Sequence, residues 1–84
     1  MIRIRFFARV RDEIGCAELV LDTLPDAVES VGALTEYLKS RDEVLQRVLS
    51  EPNILVAVNQ EMALPTDAVK IGDEIAYFPP VTGG

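Results

Sequence analysis

From Ile2 to Arg11 the chain alternates in residue type. Ile2, Ile4, Phe6, Ala8 and Val10 fall on one side, and Arg3, Arg5, Arg9 and Arg11 on the other, with Phe7 the odd member. Alternation with period two describes a strand with one face in a core and one toward water. A chain of this kind has to build a sheet and then cover its apolar face. Asp12-Glu13-Ile14-Gly15 supplies turn chemistry, after which Leu19 and Leu21 alternate against Glu18, Val20 and Asp22. The two runs predict an antiparallel hairpin closed by a short loop.

The cover follows. Pro25-Asp26 ends the strand pattern, and Val31, Leu34 and Leu38 then recur at i, i+3 and i+7 with Tyr37 alongside. This is helical spacing, and Ser30 is placed to cap it. Ser40-Arg41-Asp42-Glu43 matches a capping box ahead of Val44, Leu45, Val48 and Leu49. That predicts a second short helix, or the far half of one kinked helix. Pro52-Asn53 closes the helical region. Ile54 to Val58 is apolar on both faces, as in a central strand. Asn59-Gln60-Glu61 reads as a turn, Met62-Ala63-Leu64 as a short returning strand, and Lys70-Ile71-Gly72-Asp73 as a further turn with Gly72 suited to positive φ. Glu74 to Phe78 is the last strand, with Ile75 and Tyr77 on one face and Ala76 and Phe78 on the other. The order β-β-α-β-β defines an α+β domain, a mixed sheet under one helical layer. A length of 84 residues leaves room for one core only. Residues 1–78 form that domain and residues 79–84 a tail.

What the composition lacks narrows the chemistry. There is no histidine, and Cys16 is the single cysteine. Those counts exclude a Ser-His-Asp triad, a Cys-His pair and zinc sites built on paired cysteines and histidines. A lone cysteine fits a reducing compartment, and Cys16 reads as a small buried or half-buried thiol. Fourteen acidic and eight basic residues give a net charge of -6, which argues against a nucleic-acid backbone as partner. The aliphatic run Ile54 to Val58 is too short to cross a bilayer, and Met1 to Arg5 lacks an apolar signal segment. No membrane association is expected, and the expected location is the cytoplasm. Asp73 and Glu74 are adjacent in an extended stretch, so they point to opposite faces and read as turn and edge charges rather than one metal site.

The sequence closes with Phe78-Pro79-Pro80-Val81-Thr82-Gly83-Gly84. Two prolines cannot donate ladder hydrogen bonds, so they end the sheet and favour extended polyproline geometry. Six residues at ~3.1 Å each reach about 19 Å. The last two carry no side chain. Such an arm can carry the Gly84 carboxylate into a narrow pocket of another protein, where any Cβ would collide. Attack of that carboxylate on the α-phosphate of ATP would give an acyl adenylate, from which a sulfur or amine nucleophile could displace AMP. This chemistry asks nothing of a histidine or cysteine on the carrier. An incidental glycine extension is the alternative.

Three segments bear a further likeness: Phe6-Phe7-Ala8-Arg9-Val10-Arg11, Val56-Ala57-Val58-Asn59-Gln60, and Gly72-Asp73-Glu74-Ile75-Ala76 running into the Phe78 to Gly84 block. In these the chain resembles the ubiquitin-like β-grasp sulfur carriers, and among them the small subunits of molybdopterin synthases. The likeness is weakest from Asp26 to Asn53. It implies that Gly84 is adenylated by an E1-like enzyme using ATP and magnesium, then converted to a thiocarboxylate by a sulfur donor system. The tail, Pro79 to Gly83, would enter the active site of the large subunit, and the sulfur would pass to cyclic pyranopterin monophosphate. The family assembles as a heterotetramer, so catalytic groups would belong to the large subunit and no cofactor would be bound by this chain. Phe7, Met62 and Phe78 would form the apolar patch meeting that subunit.

Arg3, Arg5, Arg9 and Arg11 hold half of the basic residues, whereas residues 12–84 carry 14 acids against four bases. The arginines read as a solvated strand face whose stems cover apolar surface, with Arg11 a candidate to pair with a partner. A carrier for thiamine or another thiolation pathway, and a β-grasp interaction module without sulfur chemistry, are the competing readings.

Overall fold

The alternation of Ile2, Ile4 and Phe6 becomes strand β1 (Ile2–Phe6), its apolar side chains buried and Arg3 and Arg5 exposed. The computed structural model, which describes residues 1–80, ends the strand there. The expected continuation to Arg11 is replaced by a helix, α1 (Ala8–Ile14), closed by Gly15 at φ 89 with its N–H on the Arg11 carbonyl at 2.8 Å. Val10 and Ile14 are four apart, so both reach the core from one helix face. Over so short a run, period two and the helical i, i+4 spacing fit the same apolar residues. Strand β2 (Glu18–Leu21) pairs antiparallel with β1, Ile2 opposite Leu21, so the predicted hairpin partners are right but a helix connects them. Cys16, on the short link between α1 and β2, is exposed rather than buried.

Helix α2 (Val31–Arg41) buries Val31, Leu34 and Leu38 and is capped by Ser30, whose Oγ accepts from the Ala33 N–H at 3.1 Å. Helix α3 (Glu43–Leu49) is separate. Its cap is Asp42, accepting from the N–H groups of Val44 at 3.0 Å and Leu45 at 3.1 Å. Ser40 does not cap it, because its hydroxyl donates to the Tyr37 carbonyl inside α2. Aspartate is as good a cap as serine, and the better placed of the two takes the role.

Strands β3 (Leu55–Val58), β4 (Glu61–Met62) and β5 (Glu74–Phe78) complete a five-stranded sheet of order β2-β1-β5-β3-β4. The middle position belongs to β5, parallel to β1 and antiparallel to β3, and not to β3 as its apolar run suggested. Asn59 at φ 50 and Gln60 at φ 71 make the two-residue turn into β4. The returning strand begins at Glu61 and stops at Met62. Leu64 leaves it, held by an N–H bond to Asp67 Oδ2 at 2.7 Å, and Pro65 has no N–H to offer the ladder. Gly72 adopts φ 102 as expected. Asp73 closes the predicted turn, its N–H donating to the Lys70 carbonyl at 3.1 Å, and it is buried there. Its carboxylate accepts from Asn59 Nδ2 at 3.0 Å and from the Lys70 N–H at 2.9 Å, while Asn59 Oδ1 accepts from the Glu74 N–H.

All three helices cover one face of the sheet, with Phe6, Val10, Leu34, Leu38, Val48, Ile75 and Tyr77 between the layers. Among the described residues, no helix covers the other face. Among the described residues, no helix is long and apolar enough to cross a membrane.

Candidate functional site: the root of the tail and the open sheet face

Central strand β5 carries the chain out of the fold through Phe78, Pro79 and Pro80, all three half-buried. Its exit is fixed on three sides. Toward β1, the Phe7 N–H donates to the Tyr77 carbonyl at 3.1 Å. Toward β3, Leu55 stands opposite Phe78. Beneath, Tyr77 is buried against Phe6, their rings stacked at 6.1 Å, and its hydroxyl lies 2.6 Å from Thr35 Oγ on α2. Thr35 spends its one proton on the Val31 carbonyl at 2.9 Å, so the tyrosine donates and the threonine accepts. Burial pushes the Tyr77 phenol up to about 12.

The open face gathers most of the apolar residues expected to meet a partner. Phe7 is extended after Phe6, so it turns to the side opposite the core, where the Arg5 guanidinium lies 5.3 Å from its ring centre. Phe7 remains 38% exposed. Pairing register places Arg5, Ala76, Ala57 and Met62 in one row across four strands. The two alanines form a low floor between the aromatic corner at Phe7 and Phe78 and the exposed Met62. Leu55, Ala57 and Ala76 thus belong to the face, although the sequence singled out none of them. Their signal was the period-two partition of β3 and β5 once Val56 and Tyr77 are assigned to the core side. Arg11 is not on this face. It is exposed on α1, with Asp12 Oδ1 at 3.6 Å from its Nε.

No group of three potential ligands suited to a metal ion occurs among the described residues. The side chains at the root can bind and orient but hold no nucleophile paired with a base. Val81, Thr82, Gly83 and Gly84, on which the expected chemistry rests, lie outside the described residues.

An open-faced sheet with helices on one side and a central last strand running into an arm is the ubiquitin-like β-grasp architecture. SAMP1 from Haloferax volcanii has the same fold, with a TM-score of 0.75 and 28% identity over 99% of this chain and 98% of that one. The model of the ThiS family matches residues 4–84, and the chain belongs to that family. It is 39% identical over the full length of both chains to the molybdopterin synthase sulfur carrier subunit of Haemophilus influenzae. The corresponding Escherichia coli subunit is 35% identical, again over both full lengths.

Proposed function

We propose that this chain is the sulfur carrier subunit of a molybdopterin synthase, with Gly84 as its reactive residue. The observation that carries the reading is the relation to carriers of that name over the whole length of both chains. In the first step a Gly84 carboxylate oxygen attacks the α-phosphate of ATP on an E1-like enzyme, and magnesium pyrophosphate leaves. A sulfur donor then displaces AMP to give the thiocarboxylate. Pro79, Pro80, Val81, Thr82 and Gly83 would thread the large subunit while Phe7, Phe78 and Met62 rest on its surface. There the thiocarboxylate sulfur would bond to cyclic pyranopterin monophosphate, and water would cleave the resulting acyl–sulfur bond, leaving the sulfur on the pterin and returning the Gly84 carboxylate. Arg11, exposed on α1 beside Asp12, would pair with an acidic group of the partner.

The work divides between chains. This one supplies reach and a docking face, and the large subunit supplies the groups that act on the pterin, in a heterotetramer. ATP and magnesium belong to the activating enzyme. The acidic net charge favours protein partners over nucleic acid, and the setting is the cytoplasm. The test is reconstitution with the large subunit, activating enzyme, ATP, sulfur donor and pterin precursor. Dithiolene should form with the parent chain and not with one extended beyond Gly84. Dithiolene formation by the extended chain would overturn the reading.

A further inference from the structure

A sheet leaves backbone groups unpaired at its two edges. At one edge β4 is two residues long and Pro65 follows closely. At the other, β2 runs from Glu18 to Leu21 without a proline, and among the described residues no strand besides β1 pairs with it. The register says which of its groups face outward. Along β1, the N–H groups of Arg3 and Phe7 donate toward β5, to the Asp73 and Tyr77 carbonyls at 3.1 Å each, whereas that of Phe6 donates the other way, to the Ala17 carbonyl at 2.9 Å. Alternation then turns the backbone groups of Leu19 and Leu21 toward β1 and those of Glu18 and Val20 away from the sheet. The Val20 side chain is exposed as well.

Such a row of donors and acceptors is satisfied by an extended chain laid alongside as a further strand. Two features define that chain. On the helix side, a groove of about 290 Å3 lies between β2 and the junction of α2 with α3, lined by Phe6, Ile14, Leu19 and Leu45 and by Arg41 and Asp42. A residue opposite Leu19 points to this side and can fill it. On the other side, the exposed acids Glu18 and Asp22 flank Val20. Arg3 answers Glu18 at 2.8 Å, but no ion pair among the described residues neutralises Asp22. Opposite charges facing each other across strands stabilise the pairing and like charges oppose it. A second copy therefore fits poorly: each copy has a net charge of -6, and two-fold pairing centred on Val20 sets Glu18 of each against Asp22 of the other.

We propose that the β2 edge docks an extended segment of a partner protein, which pairs antiparallel with Glu18 to Leu21, seats an apolar side chain in the groove beside Leu19 and sets a basic residue against Asp22. The edge lies on the far side of β1 from the row that ends at Met62, and the proposal does not rest on the carrier reading. The probe is the peptide Ser-Lys-Thr-Val-Leu-Lys-Ser with both ends blocked, in which antiparallel pairing places the lysines against Asp22 and Glu18, the valine against Val20 and the leucine against Leu19. Amide hydrogen exchange of the full chain is the readout. At a probe concentration about nine times its Kd, exchange at the Val20 N–H should slow about tenfold, while the Leu19 and Leu21 N–H groups, already turned to β1, change less. A probe with glutamates for both lysines should bind about fivefold more weakly, and Asp22→Lys, an exposed change, should weaken the lysine probe to a similar degree. Methylating the backbone nitrogen of the probe's valine, which faces the Val20 carbonyl, should abolish protection in the parent chain. Unchanged exchange at Val20 under millimolar lysine probe would overturn the proposal. So would equal binding of the methylated probe, which marks ionic adhesion only, or protection of Val20 that rises with protein concentration alone, which marks a second copy on the edge.

Discussion

Replacing Tyr77 with phenylalanine should produce a stability change whose sign depends on pH. The hydroxyl is buried at the base of the tail, and its single bond donates to Thr35, which keeps its own bond to the Val31 carbonyl after the change. No buried donor is orphaned, so Tyr77→Phe should cost the net value of one hydrogen bond, about 1 kcal/mol, at pH 7 to 9. At higher pH the balance shifts. Burial raises the phenol from 10.0 to about 12. Between those values the unfolded chain sheds a proton that the folded chain keeps, so the unfolded state binds fewer protons and stability falls as pH rises. The contribution is fully present below pH 10 and is lost through pH 12, reaching about 2.7 kcal/mol for two units. The phenylalanine variant has no such group. The parent should therefore be the more stable near neutrality, the two should cross near pH 10.5 to 11, and the variant should lead above that. Paired urea unfolding curves from pH 8 to 11.5 measure the difference directly. A difference that stays constant across this range, or a variant that is the more stable at pH 8, would refute the assignment of a buried donating phenol.

Other expectations follow from single contacts. Asp73→Ala strips the acceptor from Asn59 Nδ2 and the Lys70 N–H in a buried turn and should cost about 2 to 3 kcal/mol in urea unfolding, without altering tail activation. Phe7→Ala should change stability by less than about 0.5 kcal/mol, because the ring is exposed, yet weaken binding of the large subunit about thirtyfold in calorimetric titration. Val10→Ala should cost about 2 kcal/mol in thermal or urea unfolding, since the residue is fully buried in the core from α1.

The elements most legible in the sequence are those whose pattern runs long enough to exclude a rival. Ile2, Ile4 and Phe6 against Arg3 and Arg5, the i, i+3, i+7 series Val31, Leu34 and Leu38, and the two faces of Glu74 to Phe78 all fold as their spacing dictates. Helix α1 was hidden because Ala8, Val10 and Ile14 satisfy a strand and a helix in turn, and Ala8 enters through a conformation that alanine rarely takes. The capping role at residue 42 was blurred by two adequate caps two residues apart. Burial of Asp73 could not be read from its neighbours, because its partner Asn59 comes from a distant turn. The site divided similarly. Phe7 stood out as an aromatic among arginines and Phe78 as the aromatic at the foot of the tail, whereas Ala57 and Ala76 carried only the period-two partition of their strands, which marks a floor once the flanking strands are known. The groove beside β2 joins Leu19 to Leu45, and only the fold brings them together.

The claim on which the function turns is that the Gly84 carboxyl exchanges an oxygen for sulfur. Fragment mass analysis of the chain after incubation with activating enzyme, ATP, magnesium and sulfur donor addresses it most directly. One oxygen-to-sulfur replacement confined to the fragment that ends in Gly84, and absent when ATP is withheld, is the expected result. Sulfur found on Cys16 or elsewhere, or an unaltered final fragment under full reaction conditions, would contradict it.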